Sequence, residues 1–94
     1  MWEREIREDK TVSSDYKEYI TGQKELFNGY ATAYTFPNGY WASVIYHDMS
    51  YGLELAVLDS EDELTYDTPI TDDVIGYIET KEDLNGLLKQ IKEL

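Results

Sequence analysis

The chain's only histidine, His47, is followed directly by Asp48. A carboxylate beside an imidazole can orient it as a general base. Such a base needs a nucleophile, yet there is no cysteine and no serine set in a glycine elbow. The pair therefore reads as an ordinary strand-end turn, and no enzyme is expected. The run Asp59-Ser60-Glu61-Asp62-Glu63 offers the oxygen donors that Ca²⁺ or Mg²⁺ prefers. It lacks the alternating ligands, central glycine and distal bidentate glutamate of a twelve-residue calcium loop. Asp72-Asp73 reads as a solvated turn or a helix start, and Asn28-Gly29 and Asn38-Gly39 as turns rather than a phosphate cradle. No catalytic residue, metal or cofactor is expected.

Aromatic recognition is the next chemistry to weigh, because nine of the 94 residues are tyrosines. Tyr30, Tyr34, Tyr40 and Tyr46 would line one face of a sheet, and stacked aromatics can bind single-stranded nucleic acid. Such sites set lysine or arginine beside the rings, and residues 25–80 contain neither. Direct nucleic-acid binding is therefore not expected. Two readings of the tyrosine face stay open. In one, a helix covers it as core and rim. In the other, part of it stays exposed for another protein.

Charge is distributed unevenly. Net charge is −12, residues 1–24 and 81–94 are nearly balanced, and residues 25–80 hold eleven acids. That block cannot neutralise itself locally, so it is solvated, balanced by the flanking segments, or presented to a basic partner. If it is presented, Asp59, Glu61, Asp62, Glu63, Asp67, Asp72 and Asp73 are the candidate contacts. The chain has no cysteine, no apolar run near the length of a bilayer span, and an N-terminus without a signal-peptide core. A cytoplasmic protein with no membrane role is expected.

The elements that would position these residues form a single α+β domain over residues 1–94. Residues 1–14 are free to fray or to form a short helix. Asp15 and Glu18 have capping-box spacing, and Tyr16, Tyr19, Ile20, Gln23 and Phe27 would share one helical face, although an extended reading of 16–21 stays open. Residues 30–36 and 40–46 alternate with period two about Pro37-Asn38-Gly39. A three-residue loop sets Tyr34 opposite Ala42, Thr32 opposite Val44 and Tyr30 opposite Tyr46. A third strand covers 53–58 and a short fourth 64–66; residues 70–78 are left without an assignment. Thr80 caps a C-terminal helix with Leu84, Leu87, Leu88, Ile91 and Leu94 as its apolar stripe. The expected architecture is a four-stranded antiparallel meander, a C-terminal helix on one face and an optional N-terminal helix.

The blocks Phe36-Pro37-Asn38-Gly39-Tyr40-Trp41-Ala42-Ser43-Val44, Ser50-Tyr51-Gly52, Leu55-Ala56-Val57-Leu58 and the stretch from Tyr66 to Tyr77 resemble small uncharacterised proteins of phages and prophages. The resemblance covers about residues 36–94. It implies a phage origin, hence a host-cell cytoplasm, and no particular activity. Two function classes follow. The first is a non-enzymatic acidic protein that binds a basic host or phage protein, in its sharper form a nucleic-acid mimic that inhibits a defence enzyme. The second is an assembly module, a homodimer joined through the sheet face that carries Trp41 and Ile45.

Overall fold

The structure, a computed structural model, describes residues 5–26, 28–47, 52–58 and 75–94. Five strands, β1 (Ile20–Leu26), β2 (Gly29–Thr35), β3 (Trp41–Tyr46), β4 (Leu53–Leu58) and β5 (Ile75–Ile78), pair antiparallel in the order of the chain. A 3₁₀ segment, Ser14–Tyr19, precedes β1, and helix α1 (Lys81–Lys92) follows β5. The expected α+β meander with its C-terminal helix on one face is present. The short fourth strand expected at 64–66 lies outside the described residues.

The central hairpin has the expected register throughout. Tyr34 pairs with Ala42, Thr32 with Val44 and Tyr30 with Tyr46. The Phe36 amide donates to the Tyr40 carbonyl at 3.0 Å, and Gly39 takes the positive φ of 91° that closes a three-residue loop. Asn38, at the tip, has a second task. Its Nδ2 donates to the carbonyls of Ile91 at 2.7 Å and Lys92 at 3.1 Å, in the last turn of α1. The hairpin tip is thereby pinned to the helix end.

The apolar pattern read as a helix over 15–27 is helical only as far as Tyr19, in a 3₁₀ segment kinked at Tyr16. Tyr16, Tyr19 and Ile20 do pack against the core, with the Tyr19 and Phe36 ring centroids 5.1 Å apart. From Ile20 onward the chain is extended. Gly22 and the β-branched pair Ile20-Thr21 weaken a helix there, and pairing with β2 gives that strand's outer backbone groups partners.

Two elements cover the same face of the sheet. Leu84, Leu88 and Ile91 of α1 are fully buried against Tyr34, Val44, Leu55 and Val57. Beside the helix, residues 5–13 run without regular structure over β1 and β2. They are held by polar contacts: Thr11 Oγ1 meets Thr32 Oγ1 at 2.7 Å, and Gln23 both accepts from the Arg7 amide and donates to its carbonyl. Thr11, Val12 and Ser13 are buried. Burial of three consecutive residues in an irregular segment requires partners for their backbone groups. Tyr34 supplies two of them, since its hydroxyl accepts from the Ser13 amide at 2.8 Å and donates to the Thr11 carbonyl. Lys81, at the start of α1, donates to the carbonyls of Asp9, Lys10 and Val12.

Candidate interaction surfaces

The tyrosine face is therefore covered. Tyr34 is fully buried, and Tyr30, Tyr40 and Tyr46 are half-buried at its margin. Of the two readings of these residues, the core-and-rim one describes them. His47 follows β3 and is half-buried, and its backbone lies close against Gly29, where a Cβ atom would come 2.6 Å from the His47 Cα. Asp48 lies outside the described residues. Among the described residues, no group of three or more His, Asp and Glu side chains gathers in a way that would hold a metal ion.

Asp59, Glu61, Asp62, Glu63, Asp67, Asp72 and Asp73 all lie outside the described residues. What the structure describes is how the bases are used. Lys81 is committed to three backbone carbonyls. Arg7 donates to the Tyr30 hydroxyl at 3.4 Å, Lys10 to the Tyr46 hydroxyl at 3.2 Å, and Lys92 stands 5.4 Å above the Tyr19 ring. Among the described residues one ion pair is found, Lys17 with Glu8 at 3.2 Å, and both side chains are largely exposed. Four cations thus have carbonyls, phenols or rings among their partners.

The other sheet face carries Trp41, which pairs with Thr35 and Leu58, and Ile45, which pairs with Ala31 and Glu54. Both side chains are half-buried. Between them the register sets Gly22, Ala33, Ser43 and Ala56 in one row across four strands, a shallow lane of small residues. Residues 5–13 lie on the opposite face, with α1. Gly22, Ala33 and Ala56 are nevertheless buried and Ser43 is half-buried, so most of this lane is closed to solvent.

A third surface escaped the sequence reading. Between β5 and α1 runs a groove of about 420 Å³, lined by Gly76 and Ile78 from the strand and by Glu82, Asp83, Gly86 and Gln90 from the helix. Thr80 accepts from the Asp83 amide at 3.1 Å, which fixes the start of α1 and so aims the first two acids at the groove's end. The signal available beforehand was Gly86, a glycine in mid-helix. Only the position of β5 shows what it borders. No helix among the described residues is long and apolar enough to cross a membrane. Comparison with protein-family models, curated proteins and solved structures yields no match to this chain.

Proposed function

We propose that this chain is a non-enzymatic acidic binding protein whose partner is basic. The observation that carries the reading is the internal use of its cations: Lys81, Arg7, Lys10 and Lys92 serve carbonyls, hydroxyls and rings, while residues 25–80 hold eleven acids and no base. Acids without local counter-charges repel one another in the folded state and attract a basic surface at long range. In the sharper form, suggested by the resemblance to phage proteins, Asp59, Glu61, Asp62, Glu63, Asp67, Asp72 and Asp73 stand in for phosphates. The chain then occupies the nucleic-acid groove of a host defence enzyme.

Two measurements test this. Pull-down from host lysate at low salt should recover a basic nucleic-acid-binding protein that added DNA displaces. The Glu61→Lys/Asp62→Lys variant should lose it. Recovery of neutral partners only, indifferent to salt, overturns the proposal. On the free protein, raising salt from ~0.01 to ~0.1 M shortens the Debye length from about 30 to about 10 Å and should raise Tm. A gain of roughly 1 kcal/mol corresponds to about 4–8 °C for a domain of this size. A Tm that falls with salt would place the acids in existing ion pairs.

The second reading, a homodimer through the face bearing Trp41, has one favouring observation: α1 and residues 5–13 both cover the opposite face. Light scattering at micromolar concentration separates the two. A monomer whose Trp41→Ser variant is equally stable and soluble removes the dimer.

A further inference from the structure

Residues 5–13 form a strap that is held largely by its backbone. Gln23 takes up Arg7 as a peptide unit: its Oε1 accepts from the Arg7 amide at 2.9 Å and its Nε2 donates to the Arg7 carbonyl at 3.0 Å. Tyr34 does the same further along, accepting from the Ser13 amide and donating to the Thr11 carbonyl. Between them the strap turns, with the Val12 amide on the Asp9 carbonyl and the Asp9 carboxylate accepting from the Thr11 hydroxyl. Lys81 donates to the carbonyls of this turn, those of Asp9, Lys10 and Val12. Recognition of main-chain groups gives affinity while asking little of the sequence. Glu5, Arg7, Glu8 and Lys10 are exposed, whereas Thr11, Val12 and Ser13 are buried. There the Thr11 hydroxyl meets that of Thr32, and the Ser13 hydroxyl donates to the side-chain oxygen of Asn85.

This interface differs in kind from the one beside it. Helix α1 is seated through Leu84, Leu88 and Ile91, all apolar. The buried polar residues among those described, Thr11, Ser13, Gln23 and Thr32, all belong to the strap and the strands beneath it. A hydrogen bond exchanged for water contributes modestly to stability, whereas exposing apolar surface costs in proportion to its area. Val12 is the strap's one fully buried apolar side chain. The strap can therefore leave while the sheet and α1 stay folded, an opening confined to one segment. It leaves behind a track of hydrogen-bonding groups: Gln23, Thr32, Tyr34 and Lys81. We infer that this track binds a peptide segment of another protein that carries the same turn, Asp-X-Thr followed by a small apolar residue and a serine or threonine, and that residues 5–13 occupy it in cis until displaced. Tethering to the rest of the chain gives the strap a local concentration on the order of millimolar, so a competitor enters where it binds better or where the strap is loosened. The inference stands apart from the proposed function and does not require a basic partner.

The test uses the full chain and a fluorescent peptide copying residues 5–13. Val12→Asp in the chain puts a carboxylate where the strap is most buried, ejecting it and freeing the track, and circular dichroism checks that sheet and helix persist. This variant should bind the peptide at least about 10-fold more tightly than wild type, because the competing occupant is gone. Adding Tyr34→Phe should reverse most of that gain, and a peptide carrying Val12→Asp should not bind. A folded Val12→Asp chain that binds no better than wild type overturns the proposal. So does a wild-type dimer by light scattering that Val12→Asp abolishes without any gain in peptide binding, since the occupant is then a second copy. Should Val12→Asp fail to fold, hydrogen exchange of the wild type decides. The Ser13 amide should exchange at least about 10-fold faster than that of Val44, through an opening that urea barely changes. Ile91→Val should then speed exchange at Val44 by roughly 2- to 12-fold and leave Ser13 as it was. Equal rates and equal urea dependence at the two amides would make the strap inseparable from the fold and overturn the proposal.

Discussion

Gly29→Ala is expected to cost about 3 kcal/mol or more, and Gly86→Ala to gain up to about 1 kcal/mol. The same methyl group is added in both cases. At Gly29 it would sit 1.9 Å from the carbonyl oxygen of Tyr46, a backbone atom that moves only if β2 and β3 separate. Small domains have roughly 5–15 kcal/mol of total stability, so this one change would consume a large share of it. At Gly86 the methyl enters open space, removes unfolded-state freedom and strengthens α1. Urea melts of the two variants beside wild type give the comparison directly. Equal shifts of one sign would mean that the close approach of β2 to the end of β3 is not what glycine serves at position 29.

Tyr34→Phe should be almost as damaging, although it deletes a single oxygen. The ring keeps its place in the core. The hydroxyl's two partners, the Ser13 amide and the Thr11 carbonyl, are left buried without it. Each such group costs about 1–3 kcal/mol, so a loss of roughly 2–4 kcal/mol is expected. The same burial pushes the phenol's pKa up. The sign then follows. Below the ordinary tyrosine value of about 10, both folded and unfolded forms hold the proton and stability is unaffected. Above it the unfolded chain ionises first, and this group's contribution declines by about 1.4 kcal/mol per pH unit. The gap in stability between wild type and Tyr34→Phe should therefore narrow between about pH 8 and pH 11. Groups titrating equally in both proteins cancel in that difference. A gap that stays constant would show that the hydroxyl reaches solvent.

Where contacts are local, residue types announced them. The loop Pro37-Asn38-Gly39 set the hairpin register because a proline inside the ladder would lose a bond, and the structure has that register. The leucine stripe and Thr80 likewise marked α1 and its cap. The stretch 16–26 was ambiguous because spacing of three and four suits one 3₁₀ turn as well as a helix. Its later residues were decided by β2, which the local pattern does not show. Residues 5–13 gave no signal at all. They are mostly polar, lack periodicity, and are placed by Tyr34, by Lys81 and by Asn85, whose side-chain oxygen accepts from the Ser13 hydroxyl, the last two some 70 positions away. Of the candidate site, Trp41 was correctly set beside Thr35 and opposite the tyrosine face. The depression between β5 and α1 was not legible, because residues 70–78 carried no assignment and the strand at 75–78 is defined by its pairing with β4.

The order of strands has a consequence for how this chain acquires its shape. Every ladder joins neighbours in sequence, so β1 to β4 can pair in the order in which they leave a ribosome, each closing only a short loop. The segment at 5–13 is the exception. It is synthesised before the strands, yet Lys81 and Asn85, which help to hold it, follow them. Its contacts with Gln23, Thr32 and Tyr34 can form once β1 and β2 exist, but those with α1 complete only when the chain is nearly whole. The late contacts made by Lys81 are among the longest in sequence separation, and Lys81→Met is expected to accelerate unfolding more than it slows folding, which stopped-flow rates measure.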